Sequence, residues 1–299
     1  HQIAAIIQDR VHIPGGFSVL AGGRYLRVTD FNYTSARTLW LPQYAATYSP
    51  TLAITFYGNY GVLMSLGPQA PWWVDNSSEF LEPFFTRQTE AGVKYERQIL
   101  LTAAYFHMRQ PFFYPRVIQQ PDSFCTTNLA FGEEFAPGDL CFESDGRETH
   151  DGFEASAQGR AARWLQLTGS LAEIRARSDD SSTPAYNGRQ VINVPRFQST
   201  LFSDFAVPRT SGLHIMPGWN YTARKQATRD DLVSVGGYNV FSLGARYTPG
   251  GEGGRITFRL YADNVLDKRY WKDTGANYGD TFIHQGAPTT VRVSAHYSF

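Results

Sequence analysis

Polar and apolar residues alternate without a fault through the last nine positions, VRVSAHYSF. Val291, Val293, Ala295, Tyr297 and Phe299 fall on one side, and Arg292, Ser294, His296 and Ser298 on the other. A period of two is the mark of a strand with one apolar and one polar face. The same period recurs upstream. In GRITFRLYADNV it sets Ile256, Phe258, Leu260 and Ala262 against Thr257, Arg259, Tyr261 and Asp263. In VFSLGARY it sets Phe241, Leu243, Ala245 and Tyr247 against Ser242, Gly244 and Arg246, and WLQLTGSL and LHIMPGWNYTAR repeat it. The pattern predicts about thirteen strands and an all-β fold.

The connections between the strands sort by length. Counted back from Phe299 they alternate: LDKRYWKDTGANYGDTFIHQGAP is long, TPGGEGG short, KQATRDDLVSVGG long and VPRTS short, and the alternation persists to the PGG near Pro14. A sandwich has no reason to segregate loop length by end. An outer-membrane barrel does, with short periplasmic turns and long extracellular loops. The apolar face then meets lipid and the polar face lines a wet lumen. Aromatic residues at strand ends belong at the membrane interfaces. On this reading the first strand, QIAAIIQDRVHI, and the last both run toward the periplasm. A closed antiparallel barrel needs an even count, so the expectation is a sheet with two open edges, the C-terminal portion of a larger barrel.

Composition narrows the class further. Tyr (17) and Phe (21) are plentiful, and 27 basic against 27 acidic residues leave no electrostatic footprint for nucleic acid. No run of about 20 apolar residues offers a transmembrane helix, which leaves strands as the means of crossing. HQIAAIIQDRVHIPGG has none of the parts of a signal peptide and reads as mid-protein sequence.

Several segments, in order, resemble the TonB-dependent outer-membrane receptors, particularly the ferric-siderophore type. LPQYAATYSP followed by ITFYGNYG is similar to a mid-barrel hairpin of that family. TRQTEAGVKYE carries a Glu-x-Gly-x-Lys pattern at Glu90, Gly92 and Lys94, and ETHDGFEASAQG a Gly-x-Glu element at Gly152 and Glu154. YADNVLDKRYW resembles the penultimate strand, with its signature from Asn264 to Tyr270, and GAPTTVRVSAHYSF the terminal one. The resemblance implies that residues 1–299 are the C-terminal part of a barrel of about 22 strands. It also implies that the plug domain and the TonB-contacting box are missing from this chain. Its implied partners are outer-membrane lipid, the TonB complex through that plug region, and a small-molecule ligand, with the receptor a monomer in the bacterial outer membrane.

Enzymatic constellations are poor, and the expected function is energy-coupled import with no catalytic residues, no resident metal and no cofactor. The seven histidines have no metal-ligand spacing, and GGEGG near Gly250 lacks the helix a phosphate cradle needs. Alternation separates Asp151 from His150 and Glu154, so these three are not one acid–base cluster. Siderophores present rings, amides and anionic oxygens, which aromatic and Arg side chains hold. Candidates on the long loops and outer strand ends are Trp72, Trp73, Arg109, Tyr114, Arg116, Tyr186, Arg224, Trp271 and Tyr278. The competing account of each is an aromatic girdle, loop packing, or charge balance in the lumen. Two rival functions stay open at this point: a passive porin, and a soluble extracellular β-protein that binds carbohydrate.

Cys125 and Cys141, the two cysteines, lie in one polar stretch, FCTTNLAFGEEFAPGDLC. Two cysteines closing a short surface loop suggest a disulfide formed in an oxidising compartment, the alternative being two unpaired thiols. A disulfide predicts no uptake of an alkylating label by native protein and two labels after reduction, read by intact mass. Two labels without reduction would refute the pairing.

Overall fold

A computed structural model describes residues 2–29, 37–119, 136–275 and 282–299. The strands among them are β1 (Gln2–Ile13), β2 (Phe17–Val28), β3 (Arg37–Tyr48), β4 (Ile54–Ser65), β5 (Phe84–Glu96) and β6 (Ile99–Val117). Then come β7 (Leu140–Ala162), β8 (Leu165–Asp179), β9 (Arg189–Gln190), β10 (Phe197–Ala206), β11 (Leu213–Thr222) and β12 (Lys225–Gln226). The last six are β13 (Ser234–Val235), β14 (Tyr238–Tyr247), β15 (Ile256–Asp263), β16 (Trp271–Gly275), β17 (Phe282–Gln285) and β18 (Thr290–Tyr297).

One antiparallel sheet carries the fold, in the order β1-β2-β3-β4-β5-β6-β7-β8-β10-β11-β14-β15-β18. Neighbours in the sheet are neighbours in sequence, and the short pieces β9, β12, β13, β16 and β17 belong to the long loops. The thirteen-strand count and the alternation of loop lengths are as the sequence predicts. Among the described residues β1 and β18 stand at the two edges, each with a partner strand on one side only.

Register decides which residues face lipid. Leu260 lies opposite Val293 on one side and Ala245 on the other, and these three side chains share the outer face. Without lipid around them, Leu260 is 50% exposed and Val293 77% exposed. The outer face elsewhere holds Leu101, Tyr105, Phe153, Leu171 and Leu201, and stacked pairs such as Phe17 with Tyr48. The inner face is polar and cross-linked strand to strand. Thr102 bonds Ser156 at 2.7 Å, Ser170 bonds Thr200 at 2.9 Å, and Arg246 donates to Asp204 at 2.9 Å.

The Glu-Gly-Lys pattern has a packing cause. Tyr57 crosses the inner face to donate its hydroxyl to Glu90 at 2.6 Å, and the Lys94 ammonium sits 4.9 Å from its ring centre. The ring passes over Gly92, where a Cβ would come within 2.8 Å of it and 2.5 Å of the Ala103 carbonyl oxygen. Gly152 lies under Phe106 in the same way, with 2.5 Å to the ring. A ring laid over a glycine restores the packing that the missing side chain forfeits.

β6 and β7 are unusually long, at 19 and 23 residues. A tilted strand crosses the hydrocarbon in about 9–11 residues, so this hairpin projects about 30 Å beyond it. A bulge between Pro111 and Phe113 turns the projection, with Gly146 at φ 90° on the longer side. A Cβ there would meet the Asp179 carbonyl oxygen at 2.6 Å and the Ser181 nitrogen at 2.8 Å, so glycine is required.

The two faces predict opposite tolerances. Leu260→Arg places a charge in lipid and should cost about 2–4 kcal/mol near the midplane, whereas Thr257→Arg faces the lumen and should be far milder. Equal loss of heat-modifiable folded protein in the two variants would contradict this register.

Candidate functional site

The bulge at Gly146 directs Asp145 toward Tyr114, and a buried polar hub forms around that ring. Tyr114 is 1% exposed. Its hydroxyl donates to Asp145 and lies 2.8 Å from the Ser181 hydroxyl and 2.9 Å from that of Thr183. Asp145 also accepts from Ser182, at 2.8 Å from the backbone N–H and 2.6 Å from the hydroxyl. The loop between β8 and β10 is thereby fastened onto the projecting hairpin. Its Tyr186 meets the Tyr114 ring edge-on, with centroids 5.0 Å apart, and Phe112 completes the cluster. Arg116 pairs with Glu143 on the same face.

A second loop docks on this hairpin. Asn76, 5% exposed, accepts from the Phe142 N–H at 2.8 Å and donates to the Phe142 carbonyl at 2.9 Å. Asp75 accepts from the Leu140 N–H at 2.6 Å. Trp72 and Trp73 ride on this loop. Trp72 is 76% exposed, and the buried Trp73 indole N–H has no acceptor among the described residues.

The remaining long loops form a separate tie. The Lys225 ammonium is buried, donates to the Lys272 carbonyl, and lies 3.4 Å from Asp273. Burial pushes the Lys225 pKa below its ordinary value, against the opposing pull of Asp273. Asn193 accepts from the Thr274 N–H at 3.2 Å, and Asp231 from the Gln190 N–H at 3.2 Å. Asp230, in the same loop, has its carboxyl held below the usual range by the Thr228 hydroxyl and the Leu232 N–H. Arg224 and Trp271 stand exposed beside this tie.

Of the residues proposed from sequence, Tyr114, Tyr186 and Arg116 come together, with Trp72 and Trp73 on the neighbouring loop. Arg224 and Trp271 belong to the second group. Tyr278 and Cys125 lie outside the described residues. Cys141 is 3% exposed, packed with Ile118, and disulfide-bonded. Arg109 is set apart from the hub. Alternation places it on the outer face, between the inward Met108 and Gln110, where it lines a cavity of about 660 Å³ with Arg87, Arg147, Phe85 and Phe113. The separation of Asp151 from His150 is as alternation predicts. Asp151 bonds His107 at 2.6 Å and Tyr105 at 3.0 Å outside, while His150 lies 3.4 Å from Glu148 inside. Asp145, Arg87, Arg147 and Lys225 were not singled out from sequence, because each depends on register or loop path.

An open antiparallel sheet with a polar inner face, short turns at one end and knitted long loops at the other defines part of the wall of a membrane-type β-barrel. Residues 1–265 match the family described as TonB dependent receptor-like, beta-barrel, and the chain belongs to that family. The ferrichrome receptor FcuA of Yersinia enterocolitica is 22% identical over 267 residues, covering 86% of this chain and 32% of that protein. The ferrioxamine B receptor of Salmonella typhimurium is 24% identical over 288 residues, covering 93% of this chain and 38% of that protein. Among solved structures, BauA, the ferric preacinetobactin receptor from Acinetobacter baumannii, has a TM-score of 0.78 at 23% identity, matching 100% of this chain and 43% of BauA. The ferric yersiniabactin uptake receptor FyuA from Yersinia pestis has a TM-score of 0.74 at 18% identity, with 100% and 45% coverage. The chain therefore spans less than half the length of these relatives.

Removing the hub's hydroxyl tests the loop anchorage. Tyr114→Phe leaves Asp145 without one of its donors and should cost about 1–3 kcal/mol. Faster hydrogen exchange should follow in residues 181–187, with β10 and β11 unchanged. Unaltered exchange in that loop would mean that the hub does not hold it.

Proposed function

We propose that this chain forms part of the wall and extracellular mouth of an outer-membrane receptor that captures a ferric siderophore or similar nutrient. Uptake is driven through TonB. The observation that carries the reading is the hairpin projecting past the membrane. There the buried Tyr114 hub, beside the Arg116–Glu143 pair, holds the loop of Tyr186, and Asn76 and Asp75 hold the loop of the exposed Trp72. Rings such as Trp72 and Tyr186 at a solvent-facing mouth suit ligands with aromatic or amide bodies. The relatives, receptors for ferrichrome, ferrioxamine B and ferric preacinetobactin, support the same ligand class. Arg224 and Trp271 form a second contact group on the opposing loops.

On this reading the chain makes and breaks no bond of its ligand, and it works as a monomer in the bacterial outer membrane. The loops capture the ligand, and energy from the inner membrane then opens the lumen through a domain that fills it. A passive porin would need no ligand-gathering mouth. The test uses the full-length protein and a panel of ferric siderophores, read by quenching of tryptophan fluorescence and by growth under iron limitation. One panel member should bind and restore growth. Tyr186→Ala with Trp72→Ala should weaken that binding about tenfold, the scale of lost ring contacts. Loss of TonB should abolish growth but leave binding intact. Steady conductance without ligand, and no binding by any member, would favour the porin.

A further inference from the structure

The outer face of β5–β8 carries a feature that ligand capture at the mouth does not use. Arg87 lies directly opposite Arg109, Arg109 opposite Thr149, and Thr149 opposite Arg177, so three arginines occupy one row across four strands. All three are exposed, and neither Arg87 nor Arg109 forms an ion pair with a described residue. Like charges directly opposite one another weaken a sheet unless something between them is negative. Two carboxylates face Arg177, Asp151 whose charge it stabilises and Asp179 two residues along the same strand face, but no carboxylate pairs with Arg87 or Arg109 among the described residues. Asp151 is held by His107 and Tyr105, Glu173 lies 3.3 Å from Arg175, and Asp180 lies 2.9 Å from Arg147.

The row's height identifies what it meets. On the same face, Tyr105 and Phe153 stack with centroids 5.1 Å apart, and below them come Ala103, Leu101 and Leu171. That aromatic pair marks the upper edge of the hydrocarbon. Arg109 is four residues beyond Tyr105, about 13 Å along the strand and about 10 Å along the membrane normal at the usual tilt. The headgroup layer is about 5–8 Å deep on each side, and an arginine arm reaches down into it while its stem lies along apolar surface. The cavity beside the row supplies that surface in Leu81, Pro83, Phe85, Pro111 and Phe113. Of its two carboxylates, Glu143 is paired with Arg116 and Glu82 stands at the rim.

We infer that Arg87 and Arg109, with Arg177 beside them, hold the phosphate of an anionic lipid headgroup of the surrounding leaflet against the outside of the barrel. This inference rests on the membrane-spanning reading above. Two guanidinium forks side by side match the several oxygens of one phosphate.

The experiment compares the full-length receptor with Arg87→Gln/Arg109→Gln and with Lys94→Gln, a lumen change. Each is reconstituted in phosphatidylcholine vesicles containing a minority of phosphatidic acid. Flotation with the vesicles first establishes insertion, and a receptor that does not float refutes the spanning reading and this inference with it. Native mass spectrometry then counts retained lipid. Wild type and Lys94→Gln should retain phosphatidic acid over phosphatidylcholine, and the double variant should retain about tenfold less. Inorganic phosphate should not displace it. Equal retention by all three floating proteins would overturn the site while leaving the spanning reading intact. Full displacement by inorganic phosphate would overturn the lipid as its occupant.

Discussion

Backbone hydrogen bonding in a medium without water is the constraint on which every other feature depends. In hydrocarbon each N–H or C=O must find a protein partner, at several kcal/mol for each group left alone. The ladders from β1 to β18 meet most of that demand for the interior strands, the β3–β4 ladder running only from Gln43 and Gly61 to Tyr48 and Phe56. At the edges one side of β1 and one side of β18 stay open, and no side chain can substitute for a neighbouring strand. In a bilayer both edges must be paired, and in a parallel contact between them the regular antiparallel ladder would be lost. The inner face adds a second requirement of the same kind. Its polar groups satisfy one another across strands, as in Tyr57 with Glu90 and Arg246 with Asp204, so the wall is cross-linked by side chains as well as by backbone.

Local irregularities then place the mouth. A regular hairpin as long as β6–β7 would stand straight out of the membrane. The extra residue opposite Phe112 bends it, and the bend brings Asp145 under Tyr114. Once that contact exists, the serines at 181 and 182 and Thr183 have a buried anchor, and the loop carrying Tyr186 closes over the hairpin. The neighbouring loop closes from another direction through Asn76, which occupies both the donor and the acceptor of Phe142. Leu140 and Phe142 turn their N–H and C=O away from β6, to an edge of β7 that β8 covers only from Arg147 onward, and Asp75 and Asn76 bond them there.

The strands and their faces were legible in the sequence because side-chain direction in a strand follows from parity alone. Leu260 outward and Thr257 inward needs only a correct phase, and phase was set by several strands at once. The expected direction of each strand has a different source: loop length separates the end with short turns from the end with long loops. The mouth was less legible. Tyr114, Arg116 and Tyr186 could be named as chemistry suited to a ligand, but their meeting depends on a bulge, and no local pattern announces one until Gly146 is seen pressed against the Asp179 carbonyl. Lys225 escaped notice since its burial comes from a loop about fifty residues away in sequence.

Arg109 shows how sharply parity divides function in such a wall. Its neighbours Met108 and Gln110 face the lumen, and Gln110 bonds Glu148 there at 2.8 Å. One residue of slip would carry Arg109 into the lumen and place Gln110 against lipid, with every other side chain of β6 reversed as well. The residue type alone is compatible with either destination, because a guanidinium serves a siderophore oxygen and a lipid phosphate equally well. What separates them is the company kept in register. Arg109 shares its row with Arg87 and Arg177 and stands above Tyr105 and Phe153, whereas Arg116, beyond the bulge, shares its face with Tyr114 and Glu143. The same strand therefore presents one arginine to the membrane and, seven residues on, commits another to a buried pair with Glu143 inside the projecting hairpin.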